Sequence, residues 1–334
     1  MQALLVEYLP ILIFLGIAIA IAGIATVLLG GGLAFGDAMT AKLEASLFDD
    51  PVIYSQRSRH QHVAITRWKD DVRLYLDGAL QFSTEDEYRY HESLVHPAMA
   101  QRPAPRRVLI LGGGDGMVAR EVFKHAGVKE VVLVDLDPVI TDLFSKRALL
   151  TALNGGSLND SRIQIVHQDA MAYLADGTRL FDVIIADLPD PNTLHLSKLY
   201  TRQFYRLMVK RLAADGVFVT QAANAFRTRE AFWCIAHTLG SVKERGPSTR
   251  PLNVKPYTVH VPSFGQWGFV MASPGPLATE GLRYPEALRF LTAELTPNLF
   301  TFSRDQAELE TPINTIADHA LLRLYREGYL RYNN

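Results

Sequence analysis

The spacing of apolar and polar residues changes character along the chain. From Tyr8 to Gly36 no residue is charged, and Leu9 to Phe35 is nearly all aliphatic or glycine. That run exceeds the roughly twenty residues a helix needs to cross a bilayer, and no polar face interrupts it. It predicts one N-terminal transmembrane helix within 1–36, with residues 9–35 in the membrane. A secretory signal fits less well, because Glu7 but no Lys or Arg precedes the run. Lys42, Arg57 and Arg59 follow it, which places the remainder on the cytoplasmic side of a cell membrane crossed once. Asp37 to about Leu47 reads as a short amphipathic helix in a linker, 37–50, ended by Pro51.

Beyond Pro51 the period shortens to two. Val52, Tyr54 and the stretch His62 to Thr66 are strand-like. Val72, Leu74 and Leu76 alternate with Arg73 and Tyr75 up to Asp77-Gly78, and Ala79 to Phe82 return from that turn. A small β-hairpin domain over 51–104 follows from this alternation. Thr84 then reads as the N-cap of a helix whose first turn carries Glu85, Asp86 and Glu87. Tyr90 and His91 on that helix fit either a solvated surface or the mouth of a pocket.

From 105 to 280 short apolar runs alternate with helical patterns. The strands are Val108–Leu111, Val131–Val134, Ile163–Val166, Asp182–Ala186 and Gly216–Thr220. Helices are predicted from Met117 to about Ala126, Asp137 to about Leu153, Ala170 to Leu174, His195 to about Leu212 and Thr228 to about Leu239. Val259 to Ala272 reads as a closing hairpin, and 281–334 adds helices at Pro285–Leu295 and Thr315–Leu330. The alternation predicts an α/β, Rossmann-like domain of methyltransferase type.

Composition narrows the function classes. Lys plus Arg number 34 against 35 Asp plus Glu, so no basic excess points to nucleic acid. The single cysteine, Cys234, excludes an internal disulfide and sits in an apolar helical pattern, which suits a buried small side chain better than a nucleophile.

The chemistry concentrates at strand ends. Val108–Leu111 runs into Gly112-Gly113-Gly114-Asp115-Gly116, and Asp135 follows about twenty residues on, where a carboxylate can accept from both ribose hydroxyls. Asp115 is out of place beside a pyrophosphate, which wants backbone donors. It suits a cationic ligand such as an S-adenosyl sulfonium. Asp169 lies at the rim where open α/β sheets bind ligands, as a partner for an adenine amino group, a helix cap, or both. Asp187-Leu188-Pro189-Asp190-Pro191 puts two acids at a strand exit, and Gln221 ends the next strand. Tyr200, Phe204 and Tyr205, at helical spacing, read as core. These residues leave open a methyltransferase, another S-adenosyl-dependent transferase, or a non-catalytic membrane-tethered sensor.

From about Leu47 to Ser273 the chain resembles the spermidine synthases, the polyamine aminopropyltransferases, and in its apolar N-terminus their membrane-attached bacterial branch. The resemblance rests on Tyr75-Leu76-Asp77-Gly78 with Gln81, Asp86-Glu87 with Tyr90-His91-Glu92, Leu111 to Gly116 with Arg120-Glu121, Asp187-x-x-Asp190-Pro191, Gln221, and Pro262 to Phe269. Members of that branch usually carry several membrane helices; a single one implies a shortened member or a chain beginning inside a longer protein. The resemblance implies a homodimer that uses decarboxylated S-adenosylmethionine as co-substrate, no metal, and putrescine as acceptor. The products would be spermidine and methylthioadenosine. By position, Asp190 would be the base, with Tyr90, His91, Asp187 and Gln221 on the diamine side. Gln61 and Asp115 would meet the aminopropyl and sulfonium region, with Gly112, Gly114, Asp135, Asp169 and Asp187 also in the donor site. Asn192-Thr193 after Asp190-Pro191, and His260-Val261-Pro262 in the hairpin, depart from the usual pattern and leave the acceptor's identity open.

Overall fold

The computed structural model describes residue 14 and residues 16–26, 48–243 and 250–333. Residues 16–26 are helical, with Ile17, Ile19, Ile21 and Ile24 exposed. Among the described residues no helix is long and apolar enough to cross a membrane. Most of the span expected over 1–36, and the linker helix expected from Asp37 to Leu47, lie outside the described residues.

The predicted hairpin unit is a four-stranded antiparallel meander: β1 (Val52–Arg57), β2 (His62–Trp68), β3 (Asp71–Leu76) and β4 (Ala79–Ser83). Asp77 and Gly78 between β3 and β4 have φ of 49° and 80°, the paired left-handed residues that suit a tight hairpin. Helix α1 (Glu87–Met99) follows. Thr84 is not its N-cap: Asp86 holds that position, and the Thr84 hydroxyl instead accepts from the Val72 amide at 2.9 Å, closing the meander.

The main sheet takes in β5 (Arg107–Gly112), β6 (Glu130–Asp135), β7 (Ile163–His167), β8 (Phe181–Asp187), β9 (Leu212–Asn224), β10 (Asn253–Val261) and β11 (Gly265–Ser273). Its order is β10-β11-β9-β8-β5-β6-β7, parallel except for the β10–β11 hairpin, whose β11 runs antiparallel to β9. The chain leaves β5 toward β6 and β7, then returns to β8 on the other side. The carboxyl ends of β5 and β8 therefore flank the crevice where such sheets bind ligands.

Side chains alternate across the sheet. Val108, Ile110, Val131, Leu133, Val183 and Ile185 pack with Leu94 and Val95 of α1 and with Val63, Leu74 and Phe82 of the meander. Leu109, Leu111, Val132, Val134 and Ile184 face Phe204, Tyr205, Phe232 and Cys234 on the other side. Cys234 is fully buried, and burial pushes its thiol up to about 12, consistent with a core residue.

Three of the predicted helical segments are shortened or broken in the structure. The first, α2, covers Met117–Phe123. The stretch from Asp137 is split into α3 (Pro138–Lys146) and α4 (Ala148–Leu153), because Arg147 is extended, with ψ of 118°. Asp169 caps α5 (Ala170–Asp176) by accepting from the Ala172 amide. The expected His195–Leu212 helix is α6 (Leu194–Ser197), a 3-10 turn at Lys198–Tyr200, and α7 (Arg202–Arg211), restarted by the Thr201 cap. Helix α8 covers Arg229–Gly240.

The expected helix at Pro285–Leu295 is absent. The amides of Arg289, Phe290 and Leu291 donate instead to the buried Glu92 carboxylate, at 2.7, 2.9 and 2.9 Å. Only α9 (Thr296–Leu299) is helical there. The last helix, α10, covers Ala320–Asn333 rather than starting at Thr315, since His319 has φ of 45° and Asp318 accepts from the Thr315 amide.

Candidate active site

The glycine turn after β5 is shaped by what presses on it. A Cβ on Gly112, whose φ is 80°, would lie 2.0 Å from the Asp187 carbonyl oxygen. One on Gly114 would lie 2.7 Å from the Asp135 carboxylate, which accepts from the Gly114 amide at 3.1 Å. The missing side chains thus let three neighbouring strand ends converge. Asp135 also accepts from the Asp137 amide at 2.8 Å, and burial raises its pKa. The Gln61 amide donates to Asp137 at 3.1 Å, a carboxylate that also accepts from the Ser58 hydroxyl at 2.7 Å.

Asp115 is nearly buried and accepts from the Met117 amide at 2.8 Å. Burial pushes its carboxyl up to about 6; nearby His91 opposes this, and the charge of Asp187 adds to it. Asn154 fixes the turn from below, donating to the Asp115 carbonyl at 2.8 Å.

Across the crevice, β8 delivers Asp187, whose Oδ1 accepts from the Tyr90 hydroxyl of α1 at 2.6 Å. Burial raises the Asp187 pKa against the opposing pull of His91 and the Tyr90 hydrogen bond. The Tyr90 ring packs against Phe264, Trp267 and Phe269, with centroids 6.2, 6.3 and 5.3 Å away. This aromatic wall suits an aliphatic chain, and the acids suit cationic nitrogens.

His91 takes a supporting place behind the acids. It is 2 % exposed and bonds the Glu87 carboxylate at 2.7 Å. Burial opposes its charged form, but Glu87 prevails and raises the pKa. Arg120 grips Glu87 with both terminal nitrogens, at 3.0 and 2.8 Å. Despite the desolvation that opposes it, His91 and Arg120 hold Glu87 down to about 2. His91 also lies close enough to Asp115 and Asp187 to oppose the rise that burial causes in both.

Asp190 stands beyond Asp187, and burial pushes it up to about 6 against hydrogen bonds from Tyr325 and Gln221. Gln221 donates to the Leu188 carbonyl at 2.7 Å and to Asp190 Oδ1 at 3.3 Å, and accepts from the Ala223 amide at 2.8 Å. Asp169 sits at the far rim, bonded to Lys198 at 2.7 Å. That ion pair outweighs its burial and lowers its pKa.

Sequence reasoning missed two phenols here. Tyr200, read as core, is buried but turns its hydroxyl to the Leu188 and Pro189 carbonyls and receives the Gln221 amide. Tyr325 of α10 donates to Asp190 Oδ2 at 2.7 Å, from 135 residues along the chain. Nothing local in the sequence marks that contact; only the amphipathic pattern of the last helix hinted that one face is covered.

Residues 87–280 match the spermine/spermidine synthase domain. The polyamine aminopropyltransferase of Oceanobacillus iheyensis is 42 % identical over 316 residues, which cover 93 % of this chain and 60 % of that protein. That of Leptospira interrogans is 40 % identical over 300 residues, 90 % of this chain and 58 % of that protein. The chain therefore spans about three fifths of the length of these relatives. Among solved structures, a spermidine synthase in complex with the transition-state analogue AdoDATO shares 29 % identity with a TM-score of 0.66, over 75 % of this chain and 85 % of that one. The spermidine synthase of Thermotoga maritima gives 28 % and 0.63, over 75 % and 84 %.

Proposed function

Since the chain belongs to the spermine/spermidine synthase family, we propose that it is a polyamine aminopropyltransferase. It moves the aminopropyl group of decarboxylated S-adenosylmethionine to a diamine, with putrescine the acceptor expected, giving spermidine and methylthioadenosine. The observation that carries this reading is the set of acids shielded from water, buried Asp115 at the glycine turn and half-buried Asp187 and Asp190 at the end of β8, against the aromatic wall at Tyr90.

Asp135 takes the ribose hydroxyls and Asp169 the adenine, Gln61 joins Asp115 at the aminopropyl and sulfonium region, and the open backbone at Gly112 and Gly114 lets the nucleoside approach. Asp115 faces the donor's cationic end. A free diamine is almost wholly protonated at pH 7, so the attacking nitrogen must lose a proton. Asp190, held near 6, is largely ionised at that pH and within the range of a useful base. The nitrogen lone pair forms the new C–N bond as the C–S bond breaks and its electron pair returns to sulfur. The proton passes to Asp190, and Asp187 with Tyr90 steadies the second nitrogen. The sulfonium is already a good leaving group, so alignment is the remaining task.

Asp115 also disfavours ordinary S-adenosylmethionine, whose carboxylate would meet a like charge. Calorimetry tests this: the decarboxylated donor should bind more tightly, and tighter binding of S-adenosylmethionine would favour a methyltransferase instead.

The domain division we adopt is 51–104 for the β domain, 105–280 for the catalytic domain and 281–334 for the C-terminal part. Membrane attachment through 9–35, with the catalytic domain cytoplasmic, rests on the uncharged run from Tyr8 to Gly36. Homodimerisation rests on the family resemblance. Fractionation of the full chain and its sedimentation in detergent test the two.

A further inference from the structure

The acid turn after β8 is gripped by the C-terminal segment. Asn314 donates to the Ser197 and Tyr200 carbonyls at 3.2 and 3.1 Å and accepts from the Leu321 amide at 3.2 Å, tying the start of α10 to the wall of the crevice. Leu321 and Tyr325 lie in the same apolar cluster as Phe232 and Trp233 of α8. A Cβ on Gly328 would meet the Arg227 carbonyl oxygen at 2.9 Å, so the glycine lets α10 settle directly on the start of α8. Arg326 donates to the Asn192 carbonyl at 3.1 Å, just past Asp190-Pro191. Between these anchors Tyr325, 8 % exposed, reaches Asp190 Oδ2 at 2.7 Å, while among the described residues Oδ1 has only the 3.3 Å contact from Gln221.

Resting on the aminopropyltransferase reading above, we propose that Tyr325 is a positioning residue for Asp190. Its hydroxyl holds Oδ2 and leaves Oδ1 to meet the attacking amine, which makes α10 part of the acceptor site. Burial and the charge of Asp190 both raise the Tyr325 pKa, so the phenol keeps its proton and acts only as a donor. A donor to a carboxylate favours the ionised form. The other groups facing Asp190 are the phenol of Tyr200 and the amide of Gln221 from the 3-10 turn and β9, Tyr90 from α1, and Asp187 from β8. Arg326, next along α10, is turned to the Asn192 carbonyl. Among the described residues Tyr325 therefore gives this half-buried base its shortest stabilising contact.

The test compares wild type with Tyr325→Phe, which removes one oxygen and keeps the ring. A hydrogen bond to a charged group is worth about 1.5 kcal/mol or more, about one pH unit. The acid limb of kcat/KM for the diamine should move up by about one unit, and kcat on the alkaline plateau should fall about tenfold from lost alignment. KM for the decarboxylated donor should stay unchanged. A limb that does not move, with an equal loss at every pH, would assign Tyr325 a packing role only and overturn the proposal. Carbon NMR titration of the Asp190 carboxyl, assigned with Asp190→Asn, gives a readout independent of turnover. Its midpoint should rise in Tyr325→Phe, and an unchanged midpoint overturns the proposal. Wild type that transfers no aminopropyl group to any diamine or triamine would instead count against the underlying activity, leaving the NMR result to decide the role of Tyr325.

Discussion

Replacing Asp190 by Asn separates catalysis from folding, because the two should move in opposite directions. The fold raises this carboxyl from 3.8 to about 6. A raised folded-state value means that the stability contribution is present at low pH and is lost as pH rises through about 6. At pH 7, above both values, the ionised group costs the fold about 3 kcal/mol. Asparagine keeps the size, can still accept from Tyr325 through its carbonyl, and carries no charge. Its amide would face the Gln221 nitrogen, where two donors meet, and this returns part of the gain. The expected balance at pH 7 is a variant about 1–2 kcal/mol more stable than wild type in urea unfolding. Activity should fall about 10²–10⁴-fold, the usual share of a general base. In wild type kcat/KM should drop roughly tenfold per unit below pH 6, as protonation removes the base. Activity within tenfold of wild type would refute the assignment of Asp190, and a joint loss of activity and stability would point to a structural role.

Three further outcomes follow from the packing and electrostatics of the site. Tyr90→Phe removes the 2.6 Å bond to Asp187 and should lower kcat/KM for the diamine about tenfold, with donor binding by calorimetry unchanged. Gly112→Ala forces a left-handed alanine against the Asp187 carbonyl and should cost about 2 kcal/mol or more in urea unfolding, together with loss of nucleoside binding. Arg120→Met takes away the guanidinium that Glu87 and Glu121 share, leaving Glu87 to His91 and Glu121 to His96 and Lys124, and should cost about 1.5–3 kcal/mol. Glu87 is held at about 2, so its stabilisation is present above the usual carboxylate range and lost as pH falls through about 2. Acid unfolding of Arg120→Met, followed by circular dichroism, should therefore begin at higher pH than in wild type.

What the sequence made legible is governed by how local each cause is. The parallel strands are continuous apolar runs, and the Asp77-Gly78 and Gly112–Gly116 turns carry their backbone requirements in residue type. Asp169 could be read as a cap because the helix it caps begins at the next residue. Non-local partners broke the other expectations. Glu92 captures the amides of Arg289, Phe290 and Leu291 across some two hundred residues, so a helical pattern there stays irregular. Tyr325 and Tyr200 reach the acid turn through tertiary packing that no short motif encodes.

Transfer of an aminopropyl group to an amine can be read straight from the reaction products. The full chain would be given either decarboxylated S-adenosylmethionine or S-adenosylmethionine, each with a panel of diamines and triamines, and the products identified by mass. The expected products are methylthioadenosine and an amine lengthened by one aminopropyl group from the decarboxylated donor, with putrescine the best acceptor. Transfer of a methyl group from S-adenosylmethionine, with S-adenosylhomocysteine as the nucleoside product, would contradict aminopropyl transfer.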